Sequence, residues 1–174
     1  MLTSGRIGRA WATNYTTASR LPLLSSFGAP NADYLPSAVN VSSPFPSAFS
    51  HAAYSFVHGG LAPGYPDLTP FPSAINHLSA SLLRKLQTRF PQPRPHPPYP
   101  YPGLPEDATK AERTFYGNIG PLWYRGWAQD DKATVCREVG AVLAKTGTRR
   151  MIMGHTPNFE VCSLSAYAFR CSAN

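Results

Sequence analysis

At 174 residues the chain can build one domain with its own core, yet only 14% of it is charged, against a usual ~25%, and its 19 prolines are about twice average usage, so much of it reads as loop. The formal net charge of +7 is dispersed, as at Arg6, Arg20, Arg84, Arg125 and Arg150, which argues against a nucleic-acid footprint, and no apolar run is long enough to span a bilayer. Cys136, Cys162 and Cys171 show no Cys-x-x-Cys spacing and suggest neither a zinc site nor a disulfide framework, so a reducing compartment, cytoplasmic by default, is expected.

From Met1 to about Leu24 apolar positions are sparse, and Ala10, Trp11 and Ala12 are the evident candidates for burial before Leu21. Residues 25–52 carry Pro30, Pro36, Pro44 and Pro46, spaced too closely for a helix or a central strand, and predict an extended loop. The apolar run Tyr54 to Val57 then stops at His58-Gly59-Gly60, the pattern of a buried strand whose C-terminal end opens onto a site. Paired glycines let the chain turn sharply and leave space beside the imidazole for a metal or a phosphate.

Thr69-Pro70 predicts a helix start with Thr69 as N-cap. Ile75, Leu78, Leu82 and Leu86 recur at helical spacing and extend that helix from about Phe71 to Thr88, with His77 off the apolar face. Residues 91–105, PQPRPHPPYPYPGLP, must be extended and polyproline-like, a surface insertion or a ligand for an SH3 or WW domain. Asp107 to Tyr116 predicts a short helix with Glu112 and Arg113 exposed. Trp123-Tyr124-Arg125 sets an arginine among aromatics that can hold its guanidinium by stacking.

Asp130 and Asp131 then cap a helix whose apolar face is Val135, Val139, Val142 and Leu143, and Gly147 stops it. It feeds a strand, Arg150 to Met153, that ends in Gly154-His155. If this strand runs parallel to the one before His58, both histidines emerge at the same edge. Phe159 to Asn174 carries no strand pattern.

Histidine is the commonest metal ligand when neutral, and arginine offers a fork of donors to phosphate. Two strand-end histidines flanking an arginine therefore suggest phosphoester chemistry at a metal. The segments HGGL, PLWYRGWA and MIMGHTP, in that order, together with GRIGRAW at residues 5–11, resemble the C-terminal half of a calcineurin-like metallophosphoesterase of the PPP type, in its Shewanella-like branch. The resemblance implies an α/β fold, part of a two-sheet sandwich flanked by helices, with long Pro-rich loops. It implies a partial phosphoesterase domain over residues 1–160, with an insertion at 91–105 and a divergent tail at 161–174.

It further implies hydrolysis of phosphate monoesters, with a phosphorylated substrate, phosphoprotein included, and divalent ions (Mn, Fe or Zn). Carried over residue by residue, His58 and His155 match two ligands of the second metal and Arg125 an arginine that clamps the substrate phosphate. The Asp-x-His, Gly-Asp-x-x-Asp-Arg-Gly and Gly-Asn-His-Glu motifs of that family are missing, and the chain has no Gly-Asp dipeptide. It is therefore expected to begin inside a domain and to be inactive as it stands. The alternatives are a non-catalytic binding module and a fragment of a longer gene product.

Overall fold

The computed structural model describes residues 5–36, 52–88 and 104–156. A buried strand must pair its backbone groups on both edges, and the run Ala53–Val57, β2, does so as the middle of a three-stranded sheet. On one side lies β1, Ala18–Pro22, antiparallel, with Ala18 opposite Val57; on the other lies β3, Arg150–Met153, parallel, with Val57 opposite Met153. The class is thus mixed α/β, built on one small sheet.

Side chains alternate across β2: Ala53, Ser55 and Val57 point into the core, while Tyr54 and Phe56 are half-covered on the outer face. The inner face joins Ala18, Met151 and Met153 to residues of two long helices, α2 (Ser73–Thr88) and α5 (Lys132–Thr146). Ile75 and Leu82 of α2 and Val135 and Val142 of α5 are almost wholly buried there, with Leu78, Leu86, Val139 and Leu143 packed around them, as their spacing predicts. Two shorter helices, α3 (Lys110–Tyr116) and α4 (Gly126–Gln129), bring Phe115 and Trp127 to the same core.

The ends of α5 follow the predicted chemistry. Asp131 accepts from the Thr134 amide at 3.0 Å, and Gly147, at φ 60, terminates the helix in the left-handed conformation. For α2 the start differs from the prediction. Pro70 and Pro72 disfavour helical backbone at Thr69 and Phe71, so the helix begins at Ser73, whose amide is capped by Asp33 Oδ1 at 3.0 Å. His77 is exposed, as predicted.

Several further readings are corrected. Residues Arg6–Asn14 form a helix, α1, in which Ala10 is exposed rather than buried. Glu112, expected on the surface, is 1% exposed, because Thr109 and Glu112 close a capping box around the start of α3 and Lys85 of α2 meets the carboxylate at 2.8 Å. Cys136 is disulfide-bonded, although the cysteine spacing suggested no disulfide framework. The other cysteines, Cys162 and Cys171, the tail at 161–174 and nearly all of the Pro-rich segment at 91–105 lie outside the described residues. Of the loop at 25–52, residues 25–36 form one turn of 3-10 helix and a single bridge between Tyr34 and Phe71. Among the described residues no helix is long and apolar enough to cross a membrane.

Candidate functional site

Parallel pairing of β2 and β3 sets both strand C-termini at one edge of the sheet, the side of an α/β unit on which ligands bind. His58 follows β2 directly and Gly154-His155 follow β3, tied by the Gly154 amide donating to the His58 carbonyl at 2.9 Å. The segment 120–127 closes the third side. Pro121 O accepts from the amides of Gly59 and Gly60 at 2.8 and 3.3 Å, and Trp127 Nε1 donates to Leu61 O at 2.9 Å. The three stretches singled out in the sequence are therefore bonded to one another.

Their side chains meet. His58 Nε2 lies 3.0 Å from His155 Nδ1, and Arg125 Nη2 lies 3.1 Å from His155 Nε2. Arginine can only donate, so His155 Nε2 must accept. A neutral His155 then carries its proton on Nδ1 and donates it to His58, giving a directed chain from Arg125 through His155 to His58. Burial first, and then the charges of Arg125 and His58, push the His155 pKa below the ordinary histidine value, which favours the neutral ring. The imidazole is also held by the edge-on indole of Trp123, 5.1 Å away, and its residue sits at φ 66, a left-handed conformation rare for a non-glycine side chain.

All three predicted site residues, His58, Arg125 and His155, are thus brought together. Among the described residues no group of three or more His, Cys, Asp or Glu converges, so the cluster offers two imidazole donors and no carboxylate. The 3.0 Å between His58 Nε2 and His155 Nδ1 is the length of the hydrogen bond that joins the two rings.

Two features escaped the sequence reading. Thr156 Oγ1, next to His155, is buried and has no partner among the described residues. Beside Arg125 a cavity of about 420 Å³ is lined by Asn118, Ile119, Trp123 and Gln129, among others. The run GNIGPLW, with isoleucine and tryptophan among turn residues, was the available signal for it. A second cavity, of about 390 Å³, runs from His58 along the outer face of the sheet past Phe56 and Ile152.

No family model and no solved structure matches the chain. Among curated proteins it is similar to the uncharacterized protein C1840.07c of Schizosaccharomyces pombe, 33% identical over 108 residues that cover 60% of this chain. The matched stretch is 26% of that protein, so the chain spans about a quarter of the length of the relative.

Proposed function

We propose that His58, His155 and Arg125 form the phosphate-binding half of a metal-dependent phosphomonoesterase site of the calcineurin-like, PPP type, and that the β1–β2–β3 layer with its helices is part of that fold. The observation that supports this reading is the meeting of three sequence-distant segments in one Arg–His–His chain at the C-terminal edge of a parallel strand pair. Arg125 is half-buried, and only its Nη2 has a partner among the described residues. The remaining N–H groups of the fork are free to bind the oxygens of a phosphate monoester.

A divalent ion would supply charge neutralisation and an activated water, and His58 and His155 are the residues that would hold it. His155 offers its Nδ1 lone pair only with its proton moved to Nε2, where the ring no longer accepts from Arg125. With an ion held there, coordination and the Arg125–His155 hydrogen bond would exclude each other, which would leave the whole Arg125 fork for the phosphate. With two imidazoles and no carboxylate among the described residues the set is incomplete, and on this reading the chain by itself binds phosphate esters without turning them over.

Titration of the full chain with orthophosphate, beside p-nitrophenyl phosphate hydrolysis with and without manganese, tests this. Arg125→Ala is expected to weaken phosphate binding about tenfold or more, consistent with loss of charge-assisted hydrogen bonds worth ~1.5–3 kcal/mol, and turnover is expected to stay at the level of His58→Ala. Unchanged phosphate affinity in Arg125→Ala would remove the clamp. Manganese-dependent turnover lost in His58→Ala would show a complete site and overturn the inactive reading.

A further inference from the structure

We infer that the cavity beside Arg125 is a base subsite, taking the nucleobase of a nucleoside monophosphate whose phosphate lies on Arg125; this rests on the reading of Arg125 as the phosphate ligand. The cavity, about 420 Å³, falls within the ~300–1,000 Å³ usual for small-molecule sites and is continuous with the cluster through Arg125 and Trp123.

Its apolar wall is partly open to solvent. Trp123 is 39% exposed and Ile119 44% exposed, and large apolar side chains left open around one concavity mark a binding surface. The rings of Tyr116 and His155 stand nearly perpendicular to the indole, with centroids at 5.8 and 5.1 Å, and fix its orientation, and its exposed part is the surface on which a flat ring would stack. Stacking of this kind is worth about tenfold in affinity per base.

The polar wall selects among flat rings. Asn118 and Gln129 line the same cavity, both are exposed, and neither side chain has a partner among the described residues. A side-chain amide offers one donor and one acceptor in a plane, the complement of adenine N6 and N7. The Watson–Crick edge of each base likewise sets a donor beside an acceptor, so an amide can pair with any of them. A phenyl ester would stack on Trp123 and leave both amides unused. The amides therefore favour a nucleobase over a plain aryl ring.

Calorimetric titration of the full chain with adenosine 5′-monophosphate, ribose 5-phosphate and phenyl phosphate separates the cases. The nucleotide is expected to bind at least about tenfold more tightly than either other compound. In the Asn118→Ala/Gln129→Ala double variant it should bind no better than phenyl phosphate; both side chains are exposed, so their loss leaves the core intact. Trp123→Ala should erase the margin over ribose 5-phosphate. Equal affinity for nucleotide and ribose 5-phosphate would overturn the base subsite and leave the Arg125 reading standing. Nucleotide and phenyl phosphate binding equally, both above ribose 5-phosphate, would overturn the nucleobase assignment in favour of a plain aryl subsite. Failure of all three to bind would overturn the Arg125 reading and this one with it.

Discussion

The amide of Gly59 donates to the carbonyl of Pro121 at 2.8 Å, and no space for a side chain lies between the segments so joined. A Cβ on Gly59 would stand 2.7 Å from both the carbonyl carbon and oxygen of Leu122 and 2.9 Å from the Trp123 amide, all of them backbone atoms that cannot swing aside. Gly59→Ala must push the 120s segment away from β2, which moves Arg125 relative to His155. The expected loss is about 1–3 kcal/mol, the usual cost of overpacking, together with loss of phosphate binding. Gly140 of α5 is the contrast: a Cβ there meets nothing within 4 Å. Gly140→Ala is expected to stabilise the chain by ~0.5–1 kcal/mol through helix propensity alone. Urea denaturation of the two variants reads both signs, and a neutral Gly59→Ala would refute the close approach.

Glu112 is the second test. Its carboxylate accepts from Thr109 N at 2.7 Å, Ser81 Oγ at 2.6 Å and Lys85 Nζ at 2.8 Å. Desolvation alone would raise its pKa, but the hydrogen bonds from Lys85, Ser81 and Thr109 and the Lys85 charge outweigh it and lower the value to about 2 from an ordinary 4.5. Since the folded value is depressed, the contribution to stability is complete above pH 4.5 and disappears as pH falls through the window down to about 2. Glu112→Gln is expected to cost about 2–3 kcal/mol at neutral pH, within the range for a lost charge-assisted hydrogen bond. The gap between wild type and variant should close on acidification. A gap independent of pH would mean that the ion pair is not what the carboxylate contributes.

The depth to which these features were legible differs by element, for physical reasons. The caps Asp131 and Gly147 and the face Val135, Val139, Val142 specify α5 locally, and β3 follows with the predicted bounds. His58 and His155 were visible because an apolar run ending in glycine and histidine is a local signal, while Arg125 stood out among aromatics. By contrast β1, with the sequence ASRLP, has little intrinsic strand preference. It forms because the free edge of β2 needs a partner, a demand written elsewhere in the chain. Glu112 was misplaced even though Thr109-x-x-Glu112 is a capping-box pattern, since nothing local reveals that Lys85 will face it. The cavity beside Arg125 depends on how residues 118–129 fold back, which periodicity does not encode.

Arg20 is the clearest case of a residue whose surroundings invert its apparent role. It reads as one of many dispersed surface charges, yet it is 7% exposed, and its Nε and Nη2 donate to the Gly147 carbonyl at 3.2 and 2.9 Å. The guanidinium also lies 5.5 Å from the centre of the Tyr34 ring. It thus serves as a cap for the negative end of α5, and burial draws its pKa below the ordinary arginine value. Arg20→Ala is expected to cost about 2–4 kcal/mol, combining a lost charge-assisted hydrogen bond with a cavity. Arg20→Met keeps most of the volume and sheds the desolvation cost, so it should cost less than Arg20→Ala. Equal losses in chemical denaturation would show that packing contributes nothing.

The final test addresses the Arg–His–His chain without requiring any ligand. Arg125 lowers the pKa of His155 through its charge, ranking behind burial and ahead of His58, and its Nη2 donates to His155 Nε2 at 3.1 Å. Removing the guanidinium should therefore move the His155 pKa upward, toward the ordinary histidine value of 6.5. It also frees Nε2 to carry a proton, so the neutral ring is no longer confined to the Nδ1–H tautomer. Both changes are readable in the full chain by following the imidazole carbon and nitrogen resonances against pH in wild type and Arg125→Met, whose side chain still fills the space. An upward shift at His155 with a change in its tautomer signature is the expected result. If both titration curves superimpose, Arg125 does not face His155 in solution, and the constellation on which the phosphate-site reading depends is not formed.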